Sequence, residues 1–298
     1  MAAAAFLLSG CGRGQVIPSL QPSQTAPAAT QTTALQTTAL QTATPFQPSP
    51  TTEPLAAQVN GEPVSLVQFQ AELARYQAAS GTELATQDQQ RVLEAMIDQL
   101  LLAQAAAEAG YVLDDAAVQA RLDQLSAEAG GPQALLDWLA SHGYVLETFR
   151  QDLAQAAEAA WMRDQIAASI PPAVEQVHAR WLRFNNLDEA QQVLAQVRAG
   201  ADFSALAAEA DPLAKGDLDW FPRGYLVDAT LEEAAFLLQP GEVSEVIESS
   251  LGFVLLQVIE RDPARALTPD ALRRLQSQAV QAWLEQRRAE SSIQVYLP

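Results

Sequence analysis

The sequence predicts an α+β protein: a mostly helical first part, a second part that mixes strands with helices, and a carboxy-terminal helix. Three observations carry this reading. Between Ser65 and Ile166 apolar residues recur at three- and four-residue steps, and glycines break the pattern into successive helices. Pro171-Pro172 then ends it, because neither ring can continue a helix. From Val177 the period changes, and an alternating run, Val177-His178-Ala179-Arg180-Trp181-Leu182-Arg183-Phe184, reads as a strand.

The 298 residues suffice for two modest domains and some unstructured sequence, and 49% hydrophobic residues leave ample material for a core. A net charge of −19 argues against nucleic acid, which requires clustered cations, and it disfavours flat adsorption on anionic lipid. The single cysteine, Cys11, follows an apolar run from Ala2 through Leu7-Leu8-Ser9-Gly10. An apolar core, small residues and then cysteine look like a bacterial lipoprotein signal, which implies cleavage before Cys11 and lipid on its sulfur. One cysteine also allows neither an intramolecular disulfide nor a thiolate metal site. No later apolar run approaches the roughly 20 residues that span a bilayer.

Residues 12–54 are dominated by Gln, Thr, Ser, Pro and Ala, with the pentapeptide Thr32–Gln36 repeated at Thr37–Gln41. Such a composition buries too little apolar surface to offset its ordering entropy, so this stretch is expected to be a disordered tether. The first folded part is expected over 55–171. Asn60-Gly61 marks a short hairpin, and Ser65 caps a helix through Phe69, Leu73 and Tyr76. A longer helix carries Val92, Leu93, Met96, Ile97, Leu100 and Leu101 and ends at Gly110; the next starts at Asp114-Asp115. Gly130-Gly131-Pro132 and Gly143 separate two more, the last running from Leu146 to Ile166. Met96, Met162, Trp138 and Trp161 are read as core at helical spacing. His142 sits in a turn with no partner at metal-ligand spacing.

The second part is expected over 172–262. After the opening strand come a helix over Asp188–Arg198 with Ala190, Val193, Leu194 and Val197 on one side, a short helix after Gly200, and a glycine-bounded segment Lys215–Gly224. A helix through Ala234-Ala235-Phe236, the turn Gln239-Pro240-Gly241-Glu242 and a closing strand from Gly252 complete it. Residues 263–298 begin with Thr268 as N-cap and Pro269 at the first helical position; Leu272, Leu275, Ala279, Trp283 and Leu284 form an apolar side, and Ile293–Leu297 suggests a short strand.

That order of elements resembles the parvulin (PpiC-type, rotamase) peptidyl-prolyl isomerase domain, and the opening from Leu55 is similar to the SurA-like chaperone domain of exported foldases of the SurA/PrsA kind. The resemblance implies a helical chaperone domain, a small antiparallel sheet flanked by helices, and a carboxy-terminal segment that packs back on the first helices. It also implies two histidines at the floor of a proline pocket, on the opening and closing strands. Here Trp181 stands at one of these positions, in Ala179-Arg180-Trp181-Leu182, and Val254 at the other, in Gly252-Phe253-Val254-Leu255. His178 lies three residues from Trp181, an offset that points it to the other face. Asp211 is the nearest match to a loop acid or cysteine of the family. Leu226 and Leu231 take pocket positions, Leu218 and Phe221 line the approach, and Phe253 completes the substrate-binding set.

The function so implied is an exported, membrane-tethered peptidyl-prolyl cis-trans isomerase or foldase, extracytoplasmic and anchored through Cys11. It would bind unfolded or proline-containing segments of exported polypeptides, with no cofactor, metal or nucleic acid. Two alternatives stand beside it: a binding-only chaperone that has lost catalysis with the histidines, and a structural interaction lipoprotein. Asp217, Asp219, Glu232 and Glu233 lack an Asp-x-Asp-x-Asp-Gly pattern and are read as turn and helix-start acids.

Overall fold

The computed structural model describes residues 54–297, so Cys11 and all of the expected tether but Pro54 lie outside the described residues. The chain folds as the α+β arrangement expected, a helical body followed by an antiparallel four-stranded sheet flanked by helices.

Strands β1 (Leu55–Val59) and β2 (Glu62–Ser65) form a hairpin around Asn60 and Gly61. Both turn residues hold positive φ, 53° and 89°, as a turn matched to strand twist requires. Ser65 then closes a capping box: its hydroxyl accepts the Gln68 amide at 3.1 Å, and the Gln68 side chain accepts the Ser65 amide at 3.3 Å. Helix α1 (Leu66–Ser80) follows, then α2 (Thr86–Glu108), whose Val92, Leu93, Ile97, Leu100 and Leu101 are buried with Val59, Val64 and Phe69. Asp114 caps α3 (Asp115–Ala129), Gly130 at φ 98° ends it, and Pro132 opens α4 (Pro132–Ser141). Helix α5 (Leu146–Ala168) packs on α2 around Leu102, Ala103, Ala159 and Ile166.

Met96 and Met162 are half-buried against these cores, as helical spacing suggested. Trp161 stacks on Tyr111 with centroids 4.6 Å apart. Trp138 is 39% exposed and stacks on His142, whose Nδ1 lies 2.8 Å from the Trp138 carbonyl, so this tryptophan is a surface residue and not core.

The sheet has the order β4-β3-β6-β5, and its two long central strands are β3 (Ala173–Phe184) and β6 (Gly252–Ala266). Its edges are β4 (Asp217–Pro222) and β5 (Ile247–Ser249). Both long strands reach further than the alternation showed: β3 starts before Val177 and β6 runs past Asp262. The extension is held by Gln176, which is buried and donates to the carbonyls of Arg265 at 2.8 Å and Ala266 at 3.2 Å. The β3–β6 register shifts between Val174 and Gln176, opposite Pro263, which cannot donate to a ladder and is tolerated at such an irregularity.

The sheet buries both faces. Helix α8 (Ala229–Leu237) covers Val177, Ala179, Phe221, Leu256 and Val258, while α6 (Leu187–Arg198) and α7 (Phe203–Ala210) cover Leu182, Phe184 and Leu255. Helix α9 (Pro269–Glu290) returns to the body and lays Ala279, Val280, Trp283 and Leu284 against the α2–α5 core. Strand β7 (Ile293–Val295) finally pairs with β1, so the first and last strands are neighbours. No helix of the described residues is long and apolar enough to cross a membrane.

A two-stranded hairpin is marginal in water without a third strand or a helix face. Deleting residues 293–298 should therefore accelerate hydrogen exchange of the β1 amides that face β7 by about tenfold or more. Amide exchange followed by NMR measures this, and β3 amides in the same sample serve as the unaffected reference.

Candidate peptide-binding site

Strand β3 presents Val177, Ala179, Trp181 and Arg183 to the face that α8 covers in part, since alternate residues share a face. Trp181 pairs with Leu256 and Arg183 with Val254 across the ladder, so Trp181 and Val254 are diagonal neighbours on that face. The structure thus brings together the two positions that the resemblance assigned to histidines. Trp181 is half-buried and Val254 fully buried. The Arg183 guanidinium lies 5.1 Å from the centroid of the Trp181 ring, within cation–π range.

The loop after α7 is docked on this strand. The Trp181 amide donates to the Gly216 carbonyl at 2.8 Å, Gly216 holds φ 65°, and a Cβ there would collide with the Trp181 carbonyl oxygen. Asp211 opens that loop and is spent on it, accepting the amides of Leu213 at 3.2 Å and Ala214 at 3.0 Å. The Ala214 amide above all holds the Asp211 carboxyl below its usual range against the opposing effect of burial, and the Leu213 and Gly216 amides and the Arg183 charge add to it.

The remaining expected residues divide. Leu218 and Leu226 are half-buried beside the α8-side core and keep surface to offer a ligand. Phe221 (0% exposed) and Leu231 (1%) are core residues, with Phe221 set edge-on against Phe236 at 6.1 Å. Phe253 requires a correction. It packs with Leu182, Phe184, Leu194 and Phe203 on the α6–α7 side of the sheet, because neighbours on a strand face opposite ways and Val254 takes the other face. His178 is likewise turned away: its Nε2 lies 2.8 Å from the Asp217 carboxylate and its ring 5.5 Å from Trp220.

Two carboxylates hold the rim. Glu232, expected as a helix-start acid, accepts the amides of Gly224 (2.7 Å), Tyr225 (2.9 Å) and Leu226 (3.0 Å), and so fixes the loop that carries Leu226. Asp228 caps α8 through Thr230 and Leu231, and its second oxygen accepts the amide and hydroxyl of Ser250. Nothing in the local sequence marks these long reaches. Arg183 was findable, because an alternating strand that presents Trp181 also presents the residue two further on. Among the described residues no group of His, Cys, Asp or Glu side chains is arranged to hold a metal ion. A cavity of about 640 Å³ lies elsewhere, between α2, α5 and α9, lined by Asp98, Arg163, Gln276, Val280, Leu284 and Arg288 among others.

An antiparallel sheet with a docked glycine loop and an apolar patch under α8 defines a parvulin-type domain. Comparison with known proteins agrees: residues 174–274 match the PPIC-type PPIASE domain family and residues 39–138 the SurA-like N-terminal domain. The chain carries a PpiC-type peptidyl-prolyl isomerase domain behind a SurA-like N-terminal domain. It is 38% identical over 91 residues to the foldase protein PrsA of Halalkalibacterium halodurans, covering 29% of this chain and 27% of that protein. It is 27% identical over 255 residues to the chaperone SurA of Thiobacillus denitrificans, covering 70% and 56%. The periplasmic chaperone PpiD of Escherichia coli is 37% identical over 94 residues, 29% of this chain and 14% of that one. The chain therefore spans from about a seventh to just over half the length of these relatives. A crystal structure of PrsA from Bacillus cereus aligns with a TM-score of 0.45 at 19% identity, covering 79% of this chain and 89% of that one.

Burial pushes the Asp228 carboxyl up, and the bonds it accepts from Ser250, Leu231 and Thr230 outweigh that push, so its pKa lies below the ordinary 3.8. A carboxyl depressed in the folded state contributes its full stability above its unfolded pKa and loses it as pH falls through the folded value. Asp228→Asn should lower stability at pH 7 and flatten the loss between about pH 4 and pH 2 relative to the natural chain. Urea unfolding across that range reads both effects.

Proposed function

We propose that the chain is an extracytoplasmic folding factor, tethered through a lipid on Cys11, that holds unfolded segments of exported polypeptides, and that its PpiC-type domain binds such segments without accelerating X-Pro rotation. The observation that carries this is the composition of the pocket floor: an indole at Trp181 under the Arg183 guanidinium, beside a fully buried Val254.

Rotation about an X-Pro bond faces a barrier of about 20 kcal/mol from amide resonance. Lowering it needs polar groups that favour the twisted amide over the planar one, since equal binding of both leaves the rate unchanged. The family's histidine positions are occupied here by side chains that offer burial instead. An indole face and the half-buried Leu218 and Leu226 suit an extended apolar or proline-containing segment. Asp211 gives no substitute, because its carboxylate is engaged by its own loop. The relatives named as chaperones and foldases, one of them periplasmic, support the extracytoplasmic folding role. A second reading, a working isomerase, rests on Arg183, an exposed cation on the same face that would donate to a substrate carbonyl.

Restoring the histidines tests the proposal. Trp181→His with Val254→His should raise the cis–trans exchange rate of an X-Pro peptide by about tenfold or more over the uncatalysed rate, which the natural chain leaves unchanged. Trp181→His alone, which spares the buried strand position, should give part of that gain. A natural chain that already isomerises contradicts the proposal.

A further inference from the structure

The loop that carries Leu226 is gripped from two sides, and only one grip belongs to the PpiC-type domain. Glu232 takes three of its amides from below. From the other side comes α9: the Gln278 amide group donates to the Gly224 carbonyl at 2.7 Å, and the Tyr225 hydroxyl donates to Asp270 at 3.2 Å. Arg274 lies 5.4 Å from the Tyr225 ring centroid. The approach is close enough to require glycine. Gly224 holds φ 81°, and a Cβ there would meet the Gln278 side-chain oxygen at 2.9 Å and the Leu275 methyl at 3.2 Å.

The same helix is committed to the body on its other side. Asp270, Arg274 and Gln278 follow at four-residue steps along one stripe, while Gln276, Val280, Trp283, Leu284 and Arg287 fall on the opposite stripe. Val280, Trp283 and Leu284 pack on the α2–α5 core, Gln276 donates to the Ala167 carbonyl at 3.3 Å, and Arg287 and Arg288 pair with Glu108 and Asp98. One face of α9 therefore belongs to the helical body and the other to the rim of the peptide-binding face.

We propose that Gln278 is a positioning residue for peptide binding by the PpiC-type domain: it sets the Gly224–Leu226 loop from a helix anchored in the helical body, so the binding face is complete only when α9 is docked. This rests on the peptide-binding reading of the Trp181–Leu226 face. It follows that the body and the binding face are mechanically joined, and a displacement of α9 against α2 and α5 is felt at Leu226.

The test uses the full chain and a fluorescein-labelled peptide with a central Leu-Pro. Gln278→Ala should weaken binding about fivefold, the effect of one net hydrogen bond. Gln278→Glu gives a readout that a general loss of stability does not. Its carboxyl donates to the Gly224 carbonyl when protonated and repels it when ionised, so binding should be weak at about pH 8 and recover only as pH falls to about 4 and below, through the ordinary glutamate range. Other titratable and charged groups around the loop are Asp219, Asp228, Asp270, Glu175, Glu232, Arg223, Arg274 and Tyr225, all common to the natural chain, which supplies the baseline at each pH. Binding by both variants equal to that of the natural chain overturns the proposal. If the natural chain binds no peptide, the binding reading fails separately, and the clasp is decided on the free protein. Leu226 methyl and Tyr225 ring signals should shift in Gln278→Ala and move back on acidification in Gln278→Glu, and unmoved signals overturn it.

Discussion

Helix α9 is held on two sides, and the arrangement of the other elements depends on that double commitment. Its apolar stripe completes the α2–α5 core, and its polar stripe holds the rim loop at Gly224. The strand after it closes the β1–β2 hairpin into a three-stranded sheet. A body assembled from both ends of the described chain makes the PpiC-type domain an insertion, with its ends brought together by the β3–β6 ladder from Ala173↔Ala266 onward. Long-range closure of this kind costs loop entropy that the buried apolar surface of α2, α5 and α9 offsets.

The sheet does a different task. Because both its faces are covered, residues adjacent along a strand serve different cores: Leu255 packs under α6 and α7, and Leu256 under α8. The α8 face is the one left partly open, and there the sequence has placed Trp181, Leu218 and Leu226 with Arg183 beside them. Three carboxylates near that face are engaged in holding loops in shape. Asp211, Asp228 and Glu232 together accept backbone amides from the three loops that frame it. On the proposed reading, such a frame holds a segment and offers few polar groups to a twisted amide.

Much of this was legible where the determining physics is local. Ser65, Asp114 and Thr268-Pro269 announce their helices because a cap acts on amides two or three residues away. The two positions that the resemblance assigns to histidines, Trp181 and Val254, come from strand motifs, and the ladder makes them diagonal neighbours. The misplacement of Phe253 was avoidable, since it and Val254 are neighbours on one strand and cannot share a face. The far end of β6 was hidden by Asp262, Pro263 and Arg265, a run without apolar alternation that nevertheless pairs with Val174 and Gln176 of β3 and takes two further bonds from the Gln176 side chain. Trp138 departs from helical spacing because its ring finds His142 and Tyr144 outside the core. The grips of Glu232 on Gly224 and of Gln278 on the same residue join positions that no periodicity links.

As proposed, the PpiC-type domain of this chain binds X-Pro segments without isomerising them. Exchange spectroscopy on a proline-containing peptide, with the cis and trans signals followed in the presence of the natural 298-residue chain, separates binding from catalysis. Binding without catalysis shifts the peptide signals while cis–trans exchange stays at the uncatalysed timescale of tens of seconds or slower. Exchange cross-peaks that grow with added protein on a timescale of a second or less would contradict it, and would assign the work of the missing histidines to another group on the same face.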